Sequence, residues 1–166
     1  TYGFDVQRTT EANGATVTSV RFSLLRSPKF PDPGADQGRH TLKFKIRPAA
    51  TIEDAVSLGY ELNYPAREVQ GNRPVEPLVS SSAEQVVVET VKLAEDGSGD
   101  LIVRLYESTG GRADSRIAFA GVAEKIWMTD FLELPTSAEQ VAGGSIDLQF
   151  RPFQVITLRI SGLKID

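Results

Sequence analysis

One stretch of this chain gathers the side chains that chemistry needs. It reads Arg26-Ser27-Pro28-Lys29-Phe30-Pro31-Asp32-Pro33-Gly34-Ala35-Asp36-Gln37-Gly38-Arg39-His40 and lies between two alternating hydrophobic segments. Its three prolines stiffen it, so it can hold a shape away from a sheet. Asp36, Gln37, Gly38, Arg39 and His40 form the candidate substrate-binding set. Their acceptors and donors suit a polyhydroxylated ligand. Loops of this length without regular structure are uncommon in compact domains and often carry function. The competing reading is a decorated loop that packs on another domain.

The remaining residue types exclude several chemistries. There is no cysteine and a single histidine, His40. Thiolate sites and multi-histidine metal sites are therefore excluded, and a Ser-His-Asp triad would have to use His40. His40 itself, beside a strand start, also fits an ordinary hydrogen-bonding surface role. The adjacent carboxylates Glu53/Asp54 and Glu95/Asp96 belong to a helix start and a turn, not to a glycosidase pair. No phosphate-binding glycine loop, nucleophile elbow or zinc spacing is present. The expectation is that this chain holds no catalytic residues and no metal site, and is not an enzyme by itself. Trp127 lies out of phase with Ile126 and Met128, which places its indole on an outer face, as a sugar platform or an interface residue.

The elements that must position these groups are mostly strands. With 40% hydrophobic and 24% charged residues, the chain affords a buried core. Period-two alternation marks strands at 17–25, 41–47, 86–91, 101–106, 116–120, 124–128, 146–151 and 155–160. Glu95-Asp96-Gly97-Ser98-Gly99-Asp100 is a hairpin turn between two of them, and Pro152 marks the bend between the last two. One helix is predicted after Thr51, with Glu53 and Asp54 in its first turn and Ile52, Ala55, Val56 and Gly59 along one stripe. Asn63-Tyr64-Pro65 ends it. Residues 66–83 lack periodicity and read as a linker or surface crossing. Two or three strands and a helix upstream of them cannot close a core alone. The first residues, Thr1-Tyr2-Gly3-Phe4-Asp5-Val6, read like mid-strand, so the chain is expected to be a segment of a longer polypeptide.

Residues 26–47 hold six basic and two acidic residues in a chain of net charge −4. Lys43, Lys45 and Arg47 alternate with Leu42, Phe44 and Ile46, as on the wet face of a half-buried strand. The overall charge argues against a nucleic-acid partner. No apolar stretch is long enough to cross a bilayer as a helix, so no membrane partner is expected.

The runs Ser23-Leu24-Leu25-Arg26-Ser27-Pro28-Lys29, Pro31-Asp32-Pro33 and Ala35-Asp36-Gln37-Gly38-Arg39-His40 resemble the C-terminal half of glycoside hydrolase family 38 α-mannosidases, closest to the cytosolic-type branch. Tyr60-Glu61-Leu62-Asn63-Tyr64-Pro65, Val87-Val88-Glu89-Thr90-Val91-Lys92 and Phe150-Arg151-Pro152-Phe153-Gln154-Val155 extend the similarity in order along nearly the whole chain. The resemblance implies an all-β architecture of antiparallel sandwiches with one short helix. Residues 1–66 would end a large galactose-mutarotase-like sandwich, 67–83 would cross, and 84–166 would form a small C-terminal β-sandwich. It implies a parent protein, cytoplasmic and in some form oligomeric, that hydrolyses terminal α-mannosides with retention. The nucleophile, the acid/base and a divalent metal, usually zinc, would lie in an N-terminal catalytic domain of the same chain. It also implies that the 26–40 loop edges the substrate site, with Arg39 as the candidate contact. A stand-alone carbohydrate-binding module or a structural interaction domain is the alternative.

Overall fold

The computed structural model describes residues 3–64, 66–136, 140–141 and 143–165. The chain divides into two compact units, Thr1–Lys45 and Ile46–Asp166. Among the described residues the chain is mostly β, with antiparallel sheets and one short helix.

The first unit is built on a hairpin of β1 (Gly3–Thr10) and β2 (Thr16–Ser23). Its turn runs from Glu11 to Gly14: the Gly14 amide donates to the Glu11 carbonyl at 2.9 Å, and the Asn13 side chain accepts from the Ala15 amide. Gly14, at a φ of 82°, supplies the left-handed step that returns the chain to β2. The pairing Phe4–Phe22 and Val6–Val20 puts four apolar side chains on one face, and all four are exposed.

Residues 41–47, expected as a strand, are not one in the structure. Alternation assigns side chains to faces, but a strand also needs a ladder partner, and none pairs with this segment among the described residues. Phe44 instead meets the hairpin through its ring, stacked 6.1 Å from Phe22.

The second unit begins with α1 (Ile52–Asn63). Its start follows from the sequence. The Thr51 hydroxyl accepts from the Asp54 amide at 3.2 Å while the Asp54 carboxylate accepts from the Thr51 amide at 3.1 Å. This reciprocal pair satisfies two otherwise orphaned donors. Arg47 adds a 2.7 Å ion pair to Asp54. Pro65, expected to end the helix, lies outside the described residues.

Two sheets then face each other. One orders β10 (Ser145–Phe150), β6 (Ala113–Phe119) and β3 (Val79–Ser81). The other orders β4 (Val86–Leu93), β5 (Leu101–Glu107), β11 (Val155–Ser161), β8 (Lys125–Thr129) and β9 (Gln140–Val141). A third pairing joins β7 (Gly121–Val122) to β12 (Lys164–Ile165). Val103, Leu105, Ile117, Leu148, Leu158 and Ile160 form the centre of the core between the sheets. They are the inward members of alternating strands, as period two requires.

Strand β3 falls inside the segment read as a linker. At three residues, two of them serine, it carries no readable period. Its place is set by pairing with β6 and by a hydroxyl cluster, Ser81 to Ser115 at 2.8 Å. The β4–β5 ladder shifts register between Val88 and Thr90, leaving Glu89 as an extra, bulged residue.

The outer face of the five-stranded sheet is partly covered. Arg159 on β11 donates to Asp100 at 2.7 Å, Asp96 at 2.7 Å and Ser98 at 3.0 Å, drawing the β4–β5 turn across the face. The Ser98 amide and hydroxyl and the Arg159 guanidinium hold the Asp96 carboxyl down at about 2. Lys92 bridges Glu95 and Glu133 on the same side. Ile102, on this outer face beside Lys92 and Arg159, is fully buried as a result. Trp127 pairs with Arg159 on that face and is half-buried, while Ile126 points into the core.

Candidate functional site

The 26–40 loop leaves β2 and organises itself. The Asp36 carboxylate accepts from the Ser27 amide at 3.1 Å, and the Ser27 hydroxyl donates to the Ala35 carbonyl at 3.3 Å. The Asp32 carboxylate accepts from the Gly34 amide at 2.8 Å. These are the local side-chain bonds that Ser and Asp form in place of regular structure. Asp36 itself sits at φ 59° and Gly38 at φ 125°. The second value favours glycine, which explains the residue at that step.

The five candidate residues are therefore together in one turn but not equally available. Gln37 donates its side-chain amide to the Pro33 carbonyl at 3.2 Å. His40 Nε2 lies 2.8 Å from the Asp36 carbonyl. A carbonyl only accepts, so Nε2 carries the proton there and cannot act as a base through that atom. Asp36 is half-buried and holds the Ser27 end of the loop. Arg39 is exposed and makes no hydrogen bond or ion pair among the described residues. The loop is a scaffold that presents one guanidinium, a group suited to a sugar hydroxyl or a carboxylate.

Two features at the other end of the chain carry perturbed groups. Glu107 on β5 is fully buried, yet its carboxylate accepts from the Thr109 amide and hydroxyl, the Gly110 amide and the Phe153 amide. Burial pushes this carboxyl up, and the four donors outweigh it and hold it down at about 2. It clasps two turns rather than facing an open site. Tyr60 on α1 and Tyr64, the residue that caps its end, flank a groove with Glu89 and Tyr106. The sequence holds one signal for this groove, the four-residue spacing of Tyr60 and Tyr64 across the end of the helix. Among the described residues no group of three or more His, Asp or Glu side chains is placed to hold a metal.

The sandwich has counterparts among known proteins. Residues 85–158, which span β4 to β11, match the model for the glycosyl hydrolases family 38 C-terminal beta sandwich domain. This sandwich is similar to that domain. The likeness continues outside it. The chain is 35% identical to alpha-mannosidase 2C1 of Homo sapiens over 159 residues, which is 87% of the chain and 15% of that protein. It is 29% identical to an alpha-mannosidase of Saccharomyces cerevisiae over 170 residues, 85% of the chain and 16% of the relative. Alpha-mannosidase G of Dictyostelium discoideum is 35% identical over 102 residues, 55% of the chain and 9% of that protein. The chain thus spans about a seventh of the length of the first two relatives. No helix among the described residues is long and apolar enough to cross a membrane.

Proposed function

We propose that this chain is the C-terminal β region of a cytoplasmic α-mannosidase that hydrolyses terminal α-mannosides with retention. The observation that most supports this reading is continuous similarity to alpha-mannosidases along 87% of the chain, around a family 38 sandwich domain. In this reading residues 1–66 end a large mutarotase-like sandwich, and 84–166 form the small sandwich together with β3, which the 67–83 crossing contributes to it. The exposed apolar face of the β1–β2 hairpin supports burial against further strands of that larger sandwich. The sandwiches brace a catalytic domain of the same polypeptide and serve oligomer contacts. The nucleophile, the acid/base and a divalent metal, zinc foremost, belong to that catalytic domain, so no catalytic step is assigned to residues of this chain.

The first test is turnover. The purified chain is expected to release no chromophore from an aryl α-mannoside above the buffer rate. Measurable, saturable turnover by the chain would overturn the reading.

The loop is tested in the parent protein. Arg39→Ala is expected to lower kcat/KM for an α-mannoside about tenfold, the size of one hydrogen bond from a charged donor. Lys43→Ala, a few residues further on the same exposed stretch, is expected to stay within about twofold because an isolated surface charge contributes little. Equal effects of the two would remove the substrate-edge role of the loop.

A further inference from the structure

We propose that the groove between α1 and the β4–β5 edge is a carbohydrate-binding site that takes one pyranose ring, a mannoside first. The choice of mannoside rests on the α-mannosidase reading above; the groove as a sugar site does not. Its volume is about 540 Å³, within the range of small-molecule sites.

Three observations carry the assignment. The first is an aromatic wall. Tyr60 and Tyr64 stack with centroids 6.1 Å apart at 28°, and Tyr64 is 76% exposed. Together they offer a ring face to the C–H side of a sugar. Aromatic side chains with a few convergent polar groups are the usual lining of small-molecule sites.

The second is a helix-interior glycine with no packing reason. Gly59 lines the groove, and nothing lies within 4 Å of where its Cβ would sit. Glycine inside a helix costs about 1 kcal/mol against alanine. No neighbour among the described residues requires that cost, and what the missing side chain leaves open is the groove.

The third is the polar set. The Tyr60 and Tyr106 hydroxyls lie 3.2 Å apart. One O–H is engaged in that bond and the other remains free to donate. Burial, the Tyr106 hydroxyl and the Glu89 charge hold Tyr60 far above the ordinary phenol range, so it stays neutral. Asn63 uses its amide NH₂ on the Gly59 carbonyl at 2.8 Å, leaving its oxygen as an acceptor. Glu89 is the bulged residue of β4, taken out of the ladder and lining the groove. Its carboxylate accepts from the Thr90 hydroxyl. Bulges re-aim single side chains in this way.

A ring face, a neutral donor, a neutral acceptor and one carboxylate match a pyranose, with its apolar face and hydroxyl edge. No Lys or Arg lines the groove, so an anionic ligand is disfavoured. An organic cation would use the rings and Glu89 but would leave Asn63 and the phenol donor idle.

The test is saturation-transfer NMR on the 166-residue chain with methyl α-mannopyranoside, methyl α-glucopyranoside and choline. The expected result is transfer from tyrosine ring protons to the mannoside C–H groups. Gly59→Leu is expected to keep or raise the thermal midpoint and to abolish that transfer. Tyr64→Ala, a change at an exposed position, is expected to weaken binding at least tenfold. Arg73→Ala, outside the groove, is expected to leave it unchanged. Absence of transfer to both sugars, transfer that survives Gly59→Leu, or binding of choline in place of the sugars would overturn the site. Preference for the glucoside, lost in Gly59→Leu, would support the groove and overturn its mannoside assignment.

Discussion

Glu107→Gln is expected to lower the stability of the 46–166 unit by about 3 kcal/mol at neutral pH. The basis is two buried donors left unpaired at about 1–3 kcal/mol each. Each carboxylate oxygen accepts two bonds: Oε1 from the Thr109 amide and hydroxyl, Oε2 from the Gly110 and Phe153 amides. The glutamine amide keeps the shape but replaces one oxygen by a donor, so one pair of donors faces another donor. One of the two turns depends on a glycine. Gly110 takes a φ of 84°, and a Cβ there would lie 2.7 Å from the Phe153 ring.

The same change carries a pH signature. The folded Glu107 carboxyl sits at about 2, below its ordinary 4.5. A lowered carboxyl stabilises the fold above the ordinary value and loses that contribution as pH falls toward the folded value. The gap in thermal midpoint between the natural chain and Glu107→Gln is therefore expected to be full at neutrality. It should close between about 4.5 and 2. A gap that stays constant across that window would show that the charge of Glu107 is not what holds the two turns.

Leu158→Ala is the second large effect. Leu158 is fully buried at the middle of β11, the central strand of the five-stranded sheet, and pairs with Val103 on one side and Met128 on the other. Removing its isobutyl tip loses transfer energy and leaves a cavity that flanking strands, fixed by two ladders, cannot collapse into. The cost is expected at about 3–4 kcal/mol. Urea unfolding should show the midpoint falling by more than about 1 M with an unchanged slope. A shift below about a third of that would mean that the two sheets close over the gap.

What could be read from the sequence follows from the range of the interactions involved. The start of α1 was legible because Thr51 and Asp54 are three residues apart and satisfy each other. Most strands of the sandwich were legible because period two is a local pattern with a buried face. The 41–47 segment has that pattern and is no strand, since a pattern does not supply a partner. Strand β3 has the partner and no pattern. Ile102 lies on the outer face of its sheet and is still fully buried, a state no local pattern signals, because Arg159 reaches across to Asp96 and Asp100, some sixty residues away in the chain. The Glu107 clasp was invisible for the same reason, with Phe153 supplied from 46 residues away. In the candidate loop the residue types were legible and their roles were not. Three of the five side chains, Asp36, Gln37 and His40, bond within the loop, and Arg39 is the one it presents.

The extra residue of β4 has a consequence for reading related chains. Upstream of it, even-numbered side chains such as Val88 oppose the core residue Leu105; downstream, even-numbered Thr90 opposes the outward Arg104. The strand therefore changes phase at Glu89. A homologue shortened by one residue here would keep both halves facing as they do now, and its ladder would become regular. Glu89 is thus dispensable to the sandwich as a shape, and a lineage that dropped it would lose a carboxylate and nothing of the architecture.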